Sequence, residues 1–155
     1  MFDTLNGLPV HALVVHGVVV LLPLAVLGTL AVAVRGAWRR RYAGLNALVA
    51  LVALALVPVA TESGEALEAR VGDPGQHAAL GSSLLWFAIP LAAVAVLLWW
   101  RGRAESRSRT PGRPTRATAV LAVVAVLVAL AAGVQVVRVG DTGARAAWGS
   151  VVANT

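Results

Sequence analysis

Apolar residues occur along this chain in four long runs, and polar and charged residues are grouped between them. A helix needs roughly 20 apolar residues to cross the hydrocarbon core of a bilayer, which is about the length of each run. The runs lack the period-two alternation of barrel strands, and open strands cannot satisfy their backbone in lipid. The pattern predicts an all-α, integral membrane four-helix bundle, a single membrane domain over residues 1–155, with helices at about 10–34, 42–60, 77–100 and 117–137.

The charged segments between the runs predict the orientation of the helices. Four arginines lie in residues 35–41 and six in residues 101–116, whereas residues 61–76 carry four carboxylates and a single arginine. Cytoplasmic loops of membrane proteins carry an excess of Lys and Arg. We therefore expect both arginine segments in the cytoplasm and both termini on the extracytoplasmic side, with a flexible cytoplasmic linker at residues 102–115. The first run is longer than a signal-peptide core and its arginines follow it, which favours a retained helix.

Composition agrees with a membrane protein and excludes several classes of site. Hydrophobic residues make up 59% of the chain and charged residues 13%, against about 45–50% and about 25% in soluble domains. The net charge of +6 comes from arginines between apolar runs, so membrane topology explains it better than a nucleic-acid partner. Because the chain has no cysteine, disulfides, cysteine-ligated iron–sulfur clusters and thiolate zinc sites are excluded.

Three histidines are the main indication of function. Placing an imidazole in hydrocarbon costs free energy unless the ring binds a metal or a hydrogen-bonding group. His11, His16 and His77 all lie in apolar runs, toward the predicted outer side. His16 is the deepest in its run, and we expect it to pair with His77 as axial ligands of a b-type haem, with His11 as a further cofactor-binding candidate. Arg138 and Arg145, beyond the fourth run, are expected to neutralise the haem propionates.

Two alternatives remain open. A transition-metal ion without haem would use imidazoles and carboxylates, and the candidate ligands are His11, His16, His77, Glu62, Glu65 and Asp141. In a structural or assembly subunit without a cofactor, the histidines would instead contact water or headgroups at the interface. Polar residues such as Asn46 and Gln135 are expected to join helices by hydrogen bonds. No internal repeat is evident in the sequence.

Short motifs on all four runs match one bacterial family. They are Leu8-Pro9-Val10-His11 continuing to His16, Thr61-Glu62-Ser63-Gly64-Glu65, His77-Ala78-Ala79-Leu80-Gly81 and Val139-Gly140-Asp141-Thr142-Gly143-Ala144. The chain resembles the small four-helix membrane proteins catalogued as a domain of unknown function. The resemblance implies a multi-pass protein of the bacterial plasma membrane and no established activity. Relatives often have histidine where Asp141 stands, so the chain departs from the family pattern there.

Some of these relatives are fused to a Rieske iron–sulfur domain, which implies a redox setting. The function expected is therefore that of a small membrane redox protein. It would bind haem b or another transition metal near the outer leaflet and transfer electrons, which favours a non-enzymatic electron carrier or complex subunit over an enzyme. The expected partners are the lipid bilayer and a redox protein or respiratory complex.

Overall fold

Four membrane-length helical spans form the protein. The computed structural model describes residues 4–5, 8–72, 75–107 and 115–153. Two short antiparallel strands pair at the start of the chain, and five helices follow. The third and fourth helices together make up one span. The elements are β1 (Thr4–Leu5), β2 (Leu8–Pro9), α1 (Val10–Val34), α2 (Gly36–Val71), α3 (Gln76–Ser83), α4 (Leu85–Arg107) and α5 (Arg116–Ala153).

The spans pack in a ring and present apolar faces outward. Helix α1 packs against α2 and α5, and α4 packs against the same two helices. At most 39% of the most apolar window of any span is buried within the bundle. Large hydrophobic side chains such as Leu27, Leu45 and Leu127 are exposed on the outer faces, which suits contact with lipid. The predicted all-α bundle of four long apolar helices is confirmed.

The helix interfaces are built mainly from small residues. Alanine is the commonest residue in the buried core, and small side chains let membrane helices approach closely. At Gly102 the backbones of two helices approach closely, since an added Cβ would lie 2.7 Å from the carbonyl oxygen of Arg39 on the neighbouring helix. The alanines of the larger core cluster are Ala25, Ala47, Ala50, Ala53, Ala88, Ala92, Ala95, Ala129 and Ala132.

The two ends of the bundle carry different side chains. Helices α1 and α3 begin, and α2 and α5 end, at one end of the bundle, named here the histidine end because His11 and His77 lie there. The opposite end, named the arginine end, contains the start of α2 and the last turns of α4. Between α1 and α2 a single extended residue, Arg35, makes the connection. At the histidine end, Gly72 and Gly75 have positive φ angles of 97° and 62°, which glycine adopts without steric cost.

Three spans extend beyond their predicted bounds. Helix α1 has the predicted bounds, but α2 begins six residues before residue 42 and continues to Val71, so residues 61–71 are part of α2. Helix α5 likewise continues from residue 137 to Ala153. Hydropathy locates the part of a helix that lies in lipid, whereas a helix continues through polar residues until its backbone is interrupted. Of the predicted linker, residues 102–107 are helical and residues 108–114 lie outside the described part of the chain.

The third predicted span is interrupted at Leu84, between α3 and α4. The hydroxyl of Ser83 donates back to the carbonyl of Leu80 at 2.8 Å. The side-chain amide of Gln135 on α5 donates to that same carbonyl at 3.2 Å and to the hydroxyl of Ser83 at 2.8 Å. Side-chain groups that bond helix carbonyls in this way compete with the hydrogen bonds of the helix backbone. The expected interhelical role of Gln135 is confirmed.

Two further polar contacts join helices. The amide of Asn46 on α2 is hydrogen-bonded to the hydroxyl of Thr29 on α1 at 2.9 Å, in the buried interior, as predicted for Asn46. At the arginine end, the guanidinium of Arg39 forms an ion pair with Glu105 at 3.0 Å and is only 6% exposed. It also donates to the carbonyls of Val32 and Ala33, each at 3.3 Å, and so satisfies backbone acceptors at the end of α1.

Candidate functional site

A cavity of about 720 Å³ opens at the histidine end of the bundle. Its walls come from α1, α2, α3 and α5 and from Leu84, and most of its lining is apolar. Two imidazoles, His11 and His77, line it together with the carboxylates Glu65 and Glu68. The aliphatic residues of the wall include Val15, Val18, Val57, Leu67, Leu84, Val136 and Val139. An apolar cavity with a few polar groups is the usual form of a small-molecule or cofactor site.

His11 is the second residue of α1 and is held by the end of α2. Its Nδ1 lies 3.0 Å from the carbonyl oxygen of Ala60. A carbonyl only accepts, so Nδ1 must carry the proton and donate it, which leaves Nε2 as the unprotonated nitrogen of the neutral ring. The hydroxyl of Ser63 donates to the same carbonyl at 3.1 Å. The orientation and tautomer of His11 are thus fixed by backbone and side-chain groups of α2.

His77 is the second residue of α3 and is held by α5 in the same manner. Its Nδ1 lies 3.2 Å from the carbonyl oxygen of Val139, to which it donates. The hydroxyl of Thr142 donates to this carbonyl at 3.1 Å and to that of Arg138 at 2.9 Å. When the ring is neutral, this contact leaves Nε2 of His77 as the acceptor nitrogen, as for His11. In that neutral form, both cavity histidines could bind a metal or a haem iron through Nε2.

Each imidazole lies against a glycine one helical turn beyond the carbonyl that holds it. A Cβ added at Gly64 would lie 3.0 Å from Cε1 of His11, and a Cβ added at Gly143 would lie 2.9 Å from Cε1 of His77. Both distances are shorter than ordinary van der Waals contact, so a methyl group at either glycine would displace the ring that lies against it.

The site consists of two equivalent halves, which the sequence analysis missed. In each half, a histidine at the second position of a helix bonds a carbonyl on the next membrane span of the chain. An acidic residue, a hydroxyl residue and a glycine lie two, three and four positions after that carbonyl. The tripeptides are Glu62-Ser63-Gly64 and Asp141-Thr142-Gly143. Their similarity is visible in the sequence, but a match of only three residues does not indicate a repeated site. It becomes informative once the structure shows that a histidine contacts each tripeptide.

His16, the predicted partner of His77, lies away from the cavity. It is exposed on α1, and its Nδ1 donates to the carbonyl of Ala12 in its own helix. It is not among the residues that line the cavity, whereas His11 is. The spacing of five residues turns the two side chains by about 140° around the helix, and the half of α1 that faces the bundle is the one with His11. The geometry thus pairs His11 with His77.

Of the predicted carboxylate ligands, the structure brings only Glu65 to the cavity. Glu62 and Asp141 are exposed, and Asp141 forms an ion pair with Arg145 at 3.0 Å on the surface of α5. Neither Arg138 nor Arg145 lines the cavity. Sequence reasoning missed Glu68, which does. Within the described ranges, no group of three or more His, Asp or Glu side chains is close enough to hold a metal ion.

The fold and this site define a class: a multi-pass membrane protein of four spans with a paired-histidine cavity at one end of its bundle. The comparison with known families agrees with that class. The chain belongs to the family described as predicted membrane protein (DUF2231), which it matches over residues 7–155. No curated protein and no solved structure matches the chain.

Proposed function

We propose that the protein is a small membrane electron carrier that holds haem b between His11 and His77. One observation carries the proposal: two imidazoles line the same apolar cavity, and each has its Nδ1 bonded to a backbone carbonyl. Ligation of haem b by two histidines requires two unprotonated imidazole nitrogens in an apolar surrounding, and the two cavity histidines and the apolar wall support this assignment. A haem with two histidine ligands takes up and releases one electron and leaves no iron position for a substrate.

The residues of the chain would contribute in distinct ways. The carbonyls of Ala60 and Val139 keep each ring in one tautomer, which also raises the basicity of the ligating nitrogen. Gly64 and Gly143 set how far each ring stands from the helix behind it. The valines and leucines of the wall exclude water, and a dry surrounding reduces the solvent rearrangement that accompanies a change of charge.

The charge at the cavity favours a second candidate. Glu65 and Glu68 line the cavity and no arginine among the described residues does, so the positive charge expected beside haem propionates is not supplied there. Carboxylates suit a cation, and a transition-metal ion bound by His11, His77 and a glutamate is the second candidate. Haem remains the first because the described ligands do not form a group of three, while haem needs two.

We also propose the orientation and the membrane. The arginine end carries the arginines of the first turns of α2 and those of α4, and the excess of positive charge in cytoplasmic segments favours that end inside the cell. The cavity and both termini would then lie on the extracytoplasmic side of the bacterial plasma membrane. A redox protein or respiratory complex outside or within the membrane would exchange electrons with the site.

The absorption spectrum of the purified protein tests the proposal. A haem carrier in detergent, produced with sufficient haem supply, shows a Soret band that shifts on reduction with dithionite. His11→Ala and His77→Ala should each abolish the native band, and His16→Ala should keep it, because His16 lies outside the cavity. For His77→Gly, added free imidazole should restore the band, which a misfolded variant would not do.

Each other outcome has a defined meaning. Colourless protein with one equivalent of bound metal favours the second candidate. Protein with neither haem nor metal, together with a stably bound partner subunit, contradicts both and supports the assembly role. Loss of the band in His16→Ala with retention in His11→Ala would show that the pairing of His11 with His77 is wrong.

A further inference from the structure

A second cleft, of about 440 Å³, lies at the arginine end between α2 and α4. It is separate from the histidine cavity, since the two share no lining residue. Arg40, Arg41 and Gly44 form the α2 side of the cleft. The α4 side is formed by Trp99, Arg103, Ser106 and Arg107.

The charge of this cleft is strongly positive and uncompensated. All four of its arginines are exposed. The nearest carboxylate in sequence, Glu105, is engaged by the buried Arg39 at 3.0 Å. Among the described residues, no carboxylate lines the cleft or forms an ion pair with Arg40, Arg41, Arg103 or Arg107. Four guanidinium groups facing one concave surface make a site for an anion with several acceptor oxygens.

One aromatic ring gives the cleft a fixed wall. A Cβ added at Gly44 would lie 2.9 Å from Nε1 of Trp99, so the indole lies directly on the backbone of α2. On its face, the guanidinium of Arg103 stands 5.2 Å from the ring centroid, within the range of a cation–π interaction. Trp99 therefore holds one arginine in place and spans the gap between the two helices.

We propose that this cleft binds the phosphate headgroup of an anionic phospholipid. The cleft lies where the apolar stretch of α4 gives way to arginines, with Trp99 and Trp100 at the change. Tryptophan and arginine at such a position mark the level of the lipid headgroups. A phosphate at this level meets guanidinium donors from both helices, and its acyl chains continue along the exposed apolar faces of α2 and α4. Basic pockets between membrane helices bind acidic headgroups in this way.

Native mass spectrometry of the full chain in detergent tests this proposal. The protein is titrated with phosphatidylglycerol and, separately, with phosphatidylcholine of the same acyl chains. We expect phosphatidylglycerol to be retained at least threefold more than phosphatidylcholine. The double substitution Arg103→Gln/Arg107→Gln, on the α4 side of the cleft, should remove this preference. Arg40→Gln/Arg41→Gln, on the α2 side, should remove it as well. All four side chains are exposed, so their replacement leaves the packed interior intact.

The control removes equal charge elsewhere at the same end of the bundle. Arg35 and Arg101 do not line the cleft, and Arg35→Gln/Arg101→Gln should keep the preference. If the control loses it as well, the attraction is due to net charge and the proposed site is wrong. Equal retention of both lipids by the unmodified protein also overturns the proposal. Displacement of the lipid by millimolar inorganic phosphate would show that the cleft recognises free phosphate and not a headgroup in the membrane.

Discussion

His11 and His77 are anchored by the same contact: each donates from Nδ1 to the carbonyl of a residue four positions before the glycine that its ring touches. The distances are 3.0 Å to Ala60 and 3.2 Å to Val139. The two histidines lie on different helices, line one cavity and make the same anchoring contact. If each histidine served only to pack its own pair of helices, this agreement would be a coincidence. The repeated contact supports a shared ligand more strongly than either histidine does alone.

The two glycines behind the imidazoles give the first prediction. Gly64→Ala and Gly143→Ala each introduce a methyl group about 3 Å from a ring carbon, so each should displace one histidine and weaken or abolish the Soret band. Gly140→Ala is the matched control: Gly140 lines the same cavity, and a Cβ there meets nothing within 4 Å. If Gly140→Ala weakens the band as much as Gly143→Ala, cavity volume and not ring position determines binding.

A second prediction concerns the ion pair at the arginine end. Arg39 is buried and Glu105 partly so, and removing one partner leaves an uncompensated charge in a poorly solvated position. Arg39→Ala and Glu105→Ala should each lower stability by about 3 kcal/mol, measured as thermal unfolding in detergent. The double variant should lose less than the sum of the two. The exposed pair Asp141 and Arg145 serves as the comparison, and Arg145→Ala should leave the unfolding temperature unchanged.

The third prediction concerns the close approach of α1 to α2. Gly28 faces the side-chain amide of Asn46 so closely that a Cβ on Gly28 would overlap it. Gly28→Ala should therefore destabilise the bundle, and Asn46→Ala alone should cost about 1 kcal/mol through the lost hydrogen bond to Thr29. Combining Gly28→Ala with Asn46→Ala should recover part of the stability lost in Gly28→Ala, because the methyl group introduced at Gly28 then occupies the space left by the Asn46 amide. A double variant less stable than Gly28→Ala would contradict this account.

Orientation is directly measurable because the chain has no cysteine. Ala37 at the arginine end and Ala69 at the histidine end are both exposed, so Ala37→Cys and Ala69→Cys each provide one accessible thiol. In intact cells, a membrane-impermeant maleimide should label Ala69→Cys and spare Ala37→Cys, and lysis should make both reactive. The opposite pattern would place the histidine cavity on the cytoplasmic side.

The sequence predicted the four spans well because hydrophobic length is a property of each segment by itself. It could not predict that α2 continues to Val71 or that the third span is interrupted at Leu84, where Gln135 from a distant helix bonds Leu80 and Ser83. The choice of His16 over His11 had a similar cause. Depth in the apolar run favoured His16, but only the rotation of α1 within the bundle decides which histidine faces Ala60 and Gly64.

Each half of the site lies within one part of the chain. The contacts of His11 are made by the α1–α2 hairpin, and those of His77 by α3 and α5. The first part ends at Gly72 and the second begins at Gly75. Because each imidazole is held by a different pair of helices, a substitution that disturbs one anchor should leave the other histidine in place.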